Sequence, residues 1–231
     1  MGTERKYDPA AMYHRTYGDR ITGLRMNLLE WFHRNRLDIF RQLIDETEGV
    51  ALSVGCSTGE FEKGVLEEKF ETVVGLELDG EAAREAGKLI TTVQANACSL
   101  PFASNSFEAV VGAAVIEHVP DQEQFLEDVH RCLRSDGVLY LTAPVEVGFQ
   151  GLCRFLARQY IYGDHDYLGY TLEELTKSVP REKHGTVGDH RYYNYQHLLD
   201  DLERDFEHVT VIGWPSSAFI PTLILNIKAV R

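Results

Sequence analysis

A short apolar run that stops on a glycine constrains this chain most. Residues 50–54 (Val-Ala-Leu-Ser-Val) run directly into Gly55, Cys56, Ser57, Thr58 and Gly59, and a helical pattern follows over residues 60–69. The order is strand, loop, helix. A glycine carries no Cβ, so a ligand can approach the main chain of such a loop closely. The first amides of the following helix are suited to a carboxylate or phosphate. The segment predicts a ligand crevice at the end of a buried strand.

The same alternation continues downstream. Residues 72–78 read as a strand, 81–89 as a helix, 91–95 as a strand and 109–115 as an apolar strand covered on both faces. A helix over 122–133, a turn at Ser135, Asp136 and Gly137, and a buried strand over 138–143 come next. A helix over 195–204 and strands over 208–212 and 223–230 complete the pattern. Strands alternating with helices imply an α/β fold with a doubly wound, mostly parallel seven-stranded sheet.

Before it, apolar residues from Leu24 to Ile44 recur at three- and four-residue steps and predict a helical arm over 21–45. Between residues 145 and 195 the periodicity fails, while seven of the eleven tyrosines and three histidines accumulate there. This stretch reads as a cap inserted after the fifth strand. One domain over 1–231 is expected: arm 1–48, core 49–144, cap 145–195 and final helix and strands 196–231.

The net charge of −13 opposes attraction to nucleic acid and favours a small-molecule partner. No apolar stretch approaches the roughly 20 residues needed to cross a bilayer. Residues 1–10 lack the pattern of a secretory signal, and Cys56, Cys98, Cys132 and Cys153 form no C-x-x-C pair. A cytoplasmic protein, monomeric or homodimeric, is the expectation. The stripe Phe149, Leu152, Phe155, Leu156 and Ile161 reads as core, or as a helix meeting a membrane surface or second subunit.

Glu77 ends the strand over 72–78, 18 positions after Gly59, where a carboxylate can accept ribose hydroxyls. Loop and acid together point to a cofactor containing a nucleoside. A nicotinamide cofactor would use G-x-G-x-x-G, but this loop has glycine at its first and fifth positions and Ser57 at its third.

Further blocks follow: Ala95-Asn96-Ala97, Leu100-Pro101-Phe102, 105–111 (Asn-Ser-Phe-Glu-Ala-Val-Val), 117–121 (Glu-His-Val-Pro-Asp) and 133–139 (Leu-Arg-Ser-Asp-Gly-Val-Leu). In this order and spacing, residues 50–144 resemble the class I S-adenosylmethionine-dependent methyltransferases, particularly ubiquinone-pathway and sugar methyltransferases. The resemblance implies their Rossmann-like fold, S-adenosyl-L-methionine as cofactor and S-adenosyl-L-homocysteine as product. It places Gly55, Cys56, Ser57, Gly59 and Ala114 around the methionine end, Glu77 on the ribose, Leu78 on the adenine face, and Asn96 and Ala97 at the adenine edge. Arg36 resembles an arginine that meets the methionine carboxylate; a solvated helix face is its other reading. Ser53 and Ser57 depart from the family, which has an acid and a glycine there, as does Asn96, where the family has Asp.

Methyl transfer from a sulfonium is an in-line displacement that needs alignment, and a base if the acceptor is a hydroxyl. His118, just past the fourth strand, is the first candidate base, with His190 in the cap the second. His118 reads equally as a loop-holding residue. Some relatives carry a metal on Glu-x-x-Glu-His, but Ala114 stands at the first of those positions, so no metal is expected. O-methylation of a small metabolite, sugar or lipid-linked glycan is the leading expectation. The alternatives are a silent cofactor-binding module and an N- or C-methyltransferase acting on RNA, protein or another small molecule.

Overall fold

A computed structural model describes residues 21–145, 193–215 and 222–231, together with Leu156 and Tyr160. Helix α1 (Leu24–Leu43) leads into β1 (Thr47–Val54), α2 (Glu60–Gly64), a 3-10 turn (Leu66–Glu68), β2 (Phe70–Glu77), α3 (Gly80–Ala86) and β3 (Thr91–Gln94). Then come β4 (Phe107–Gly112), a 3-10 turn (Ile116–His118), α4 (Gln122–Cys132), β5 (Leu133–Pro144), α5 (Tyr195–Asp205), β6 (His208–Trp214) and β7 (Ile224–Val230). The seven strands lie in the order β3-β2-β1-β4-β5-β7-β6. β7 runs antiparallel to both β5 and β6, and the remaining pairings are parallel.

Alternating side chains cover both faces of the sheet, as a central strand requires. On one face Leu52, Val54, Leu76, Val110, Leu139 and Leu141 meet Phe125, Leu126 and Val129 of α4 and Leu198 and Leu202 of α5. On the other, Ala51, Val73, Ala109, Val111 and Tyr140 meet Phe40 and Ile44 of the arm and Val65 and Leu66. Each large side chain fully buried in these layers contributes roughly 1.5–3 kcal/mol.

The arm folds as expected. Met26, Leu29, His33, Leu37 and Phe40 form its buried stripe. Asp45, just beyond its end, exchanges hydrogen bonds with the Tyr140 hydroxyl and accepts one from Lys228 Nζ on β7 at 2.5 Å. Asp79, Asp121 and Asn194 cap α3, α4 and α5 through their side chains, each worth about 1 kcal/mol.

Several expected bounds shift. The helix expected over 60–69 is one short helix and a 3-10 turn, parted near Gly64, a weak helix former. The strand expected over 109–115 ends at Gly112, because Ala114 adopts φ 57° and donates its N–H to Thr142 Oγ1 at 2.7 Å. The turn expected at 135–137 lies inside β5 as an irregularity. Phe107 pairs with Leu133 and Ala109 with Val138, so the four residues 134–137 stand opposite Glu108 alone and three of them are extra. Almost all of the expected cap, 145–195, lies outside the described residues, as do the apolar stripe other than Leu156 and the residue Cys153.

Candidate functional site

The strand order reverses between β1 and β4, and in open α/β sheets the crevice beyond the carboxyl ends at that point takes the ligand. The glycine loop sits there. Gly55 and Gly59 have φ of 71° and 78°, and Ser57 joins them in the left-handed region at 49°. A Cβ on Gly55 would come within 2.8 Å of Val115 Cγ2. The Gly55 and Cys56 amides donate to Leu76 carbonyl oxygen, and Gly59 N–H closes the turn on Cys56 carbonyl oxygen at 2.9 Å.

Glu77 is bound into this loop. One of its oxygens accepts the N–H groups of Leu78 and Asp79 at 2.8 and 3.0 Å, and the other accepts Ser57 N–H at 2.8 Å. A carboxylate offers about four acceptor directions, so one remains open. One ribose hydroxyl can be accepted as the carboxylate stands; accepting the second requires the Ser57 amide to yield. Leu78, next in the chain, exposes 52% of its surface, unusual for a leucine at a strand end and suited to an aromatic base.

Asn96 and Ala97 follow β3. Asn96 is exposed, and its Oδ1 accepts Cys98 N–H at 2.9 Å, which fixes the orientation of its amide. The side-chain NH2 and one oxygen lone pair are open to a ligand. Ala114 stands past the end of β4, its backbone held by Thr142. Arg36 lies half-buried on α1, and its Nε has no hydrogen-bond partner among the described residues. His118 ends a 3-10 turn, donating its backbone N–H to Val115 carbonyl oxygen at 2.9 Å. Its neighbour Glu117 is buried. His190 lies outside the described residues. Among the described residues no group of three or more His, Cys, Asp or Glu is arranged to hold a metal.

Several sequence blocks turn out to brace one another. Arg131 donates to Phe102 and Leu100 carbonyl oxygens at 2.6 and 3.1 Å, and Asp128 accepts Leu100 N–H at 2.8 Å. Glu108 accepts Val50 N–H and pairs with Arg134.

Sequence reasoning missed Glu62. On α2, it is only 3% exposed and accepts a hydrogen bond from Ser53 Oγ at 2.7 Å, while its Oε2 has no partner among the described residues. Burial raises its pKa to about 7, against the pull of the Ser53 hydrogen bond. Burial likewise pushes the Cys56 thiol up to about 12, aided by the fields of Glu62 and Glu77, so Cys56 is no nucleophile at neutral pH. The available signal for Glu62 was Ser53 itself, a hydroxyl in a buried strand that needs a partner.

Residues 52–141 match the family model of a methyltransferase domain. A probable S-adenosylmethionine-dependent methyltransferase of Mycobacterium tuberculosis is 28% identical over 123 residues, covering 52% of this chain and 44% of its own. A ubiquinone/menaquinone biosynthesis C-methyltransferase of Sinorhizobium fredii is 40% identical over 82 residues, covering 35% of this chain and 32% of its own. The chain therefore spans less than half the length of these relatives. A crystal structure of a Thermotoga maritima S-adenosylmethionine-dependent methyltransferase, given as a possible histamine N-methyltransferase, superposes with a TM-score of 0.59. It covers 95% of this chain and 98% of its own at 18% identity, a likeness of fold. With this strand order and the blocks that accompany the loop, residues 52–141 form a methyltransferase domain similar in sequence and in fold to S-adenosylmethionine-dependent methyltransferases.

Proposed function

We propose that this protein transfers the methyl group of S-adenosylmethionine to a hydroxyl oxygen of a small acceptor seated beyond the ends of β4 and β5. The observation that carries the reading is Glu77, fixed by three backbone N–H groups against the glycine loop with one acceptor direction open and an exposed leucine beside it. In this reading Glu77 holds the ribose, Leu78 and Ala97 the adenine, Asn96 its edge, and Gly55, Cys56, Ser57, Gly59, Ala114 and Arg36 surround the methionine end.

The cofactor supplies an electrophilic methyl on a sulfonium. The chain's part is to orient the acceptor and take its proton. His118, at the sheet end where the methyl belongs, receives the hydroxyl proton as the oxygen–carbon bond forms, with His190 the alternative. Single-turnover rates with methyl-labelled donor across hydroxylated acceptors test this. Loss of about 100-fold or more in His118→Ala supports the base, and an unchanged rate removes it.

A second reading, C-methylation of a quinol ring, is favoured by the Sinorhizobium relative's name. It needs the same base, because removing a ring hydroxyl proton makes the adjacent carbon nucleophilic. The carbon shift of the transferred methyl in the product distinguishes the two. No helix among the described residues is long and apolar enough to cross a membrane.

A further inference from the structure

Glu62 is the one carboxylate described at the glycine loop that is both buried and incompletely paired. Its burial is nine-tenths or more, one oxygen takes the Ser53 hydroxyl, and the other has no hydrogen-bond partner among the described residues. A bare buried carboxylate oxygen is costly. Ser53 lies on β1 two residues before Gly55, and Glu62 lies three residues after Gly59, so the pair sits directly beneath the loop at its two ends. The other acid at the loop, Glu77, is already engaged by three backbone N–H groups.

The cofactor's amino-acid end carries an α-carboxylate and an α-ammonium. Loop amides suit the former, while the latter needs an anionic acceptor. We infer that Glu62 receives the α-ammonium of the cofactor through its free oxygen, with Ser53 as the residue that positions it. The acid that the family carries inside β1 is thus supplied here from α2, and Ser53 is the complement of that move rather than a loss. This rests on the donor occupying the glycine loop. Binding completes the carboxylate's pairing, and it favours the ionised form. The groups facing Glu62 are the Ser53 hydroxyl on β1, the Cys56 thiol in the loop and Glu77 on β2, with Glu60 and Lys63 on its own helix. Cys56 stays protonated near neutral pH, so protons released on binding come from Glu62 and not from the thiol.

The test is calorimetry of the full chain with S-adenosylhomocysteine and with its desamino analogue, in which hydrogen replaces the amino group. The wild type is expected to bind the desamino compound about tenfold or more weakly. Glu62→Gln should bind S-adenosylhomocysteine that weakly too, bind the desamino compound within about twofold of the wild type, and regain discrimination on adding Ser53→Asp. Equal weakening of both ligands in Glu62→Gln, or no discrimination in the wild type, overturns the inference. Should Glu62→Gln fail to fold, the wild type alone decides. At pH 7, in two buffers of different ionisation enthalpy, S-adenosylhomocysteine should release protons and the desamino compound should not, and equal release overturns it. Failure of the wild type to bind either ligand would instead refute the donor assignment.

Discussion

The two sides of the crevice are built by different means. On the β1–β2 side, main-chain groups do the holding: Ser57, Leu78 and Asp79 amides fix Glu77, and Leu76 carbonyl oxygen receives Gly55 and Cys56. On the β4–β5 side the network is sparse: the Thr142 hydroxyl accepts the Ala114 amide, and the buried Glu117 has an Oε2 without a hydrogen-bond partner among the described residues. On the first side three loop amides converge on one carboxylate, whereas on the second a single hydroxyl holds a single amide. In the proposed reading, this difference makes the donor side the more heavily cross-braced of the two and leaves acceptor choice to the side chains around β4 and β5.

The largest effect should separate the two sides. Glu77→Ala is expected to weaken S-adenosylhomocysteine binding about 100-fold, some 2.7 kcal/mol, by removing a charged acceptor and releasing three loop amides. Glu117→Gln should leave that affinity within about twofold, and calorimetry showing equal losses would break the comparison. Next, Gly55→Ala places a Cβ at φ 71° and 2.8 Å from Val115, across the boundary between the two sides. A loss of about 2 kcal/mol in denaturant unfolding is expected, with donor binding weakened in parallel.

A third test uses pH. The folded pKa of Glu62 is raised from 4.5 to about 7, so the folded state binds more protons than the unfolded state between those values. Its contribution to stability is present below pH 4.5, falls as pH rises through about 7, and is absent above. Glu62→Gln, which stays neutral, should be more stable than the wild type at pH 8 by about 1–3 kcal/mol and indistinguishable near pH 4. Thermal unfolding at the two pH values measures it. The smallest effect lies far from the crevice. Asp45 has its pKa lowered, chiefly by the hydrogen bond from Lys228, so this contact stabilises above the usual carboxylate range and fades as pH falls through it. Asp45 is 55% exposed, so Lys228→Met should cost under about 1 kcal/mol at pH 7 and nothing near pH 2.

What sequence could reveal follows the same division. Gly55, Glu77 and the sheet were legible because strand periodicity and glycine placement are local signals that act through the backbone. Asn96 was placed, but its orientation depends on Cys98 N–H, two residues on in a turn whose shape no pattern specifies. Leu100, Phe102, Glu108 and Arg134 were visible as blocks while their reason was not, since Leu100 and Phe102 are held by Arg131 of α4, and Glu108 and Arg134 pair with each other across the sheet. Ser53 looked like a defect because its partner, Glu62, meets it only after the loop has turned the chain back. The expected bounds failed where single residues overrule a period, at Gly64 and Ala114.

The clasp at Asp45 joins positions 183 residues apart. During synthesis α1 precedes β7, so this contact forms only once β7 has been made. The arm must therefore spend translation with its apolar stripe (Met26, Leu29, Leu37 and Phe40) lacking part of its final seat, an interval open to aggregation or chaperone capture. Closure of the Asp45 clasp, unlike the seating of Phe40 and Ile44 on the earlier strands, reports that β7 has been made.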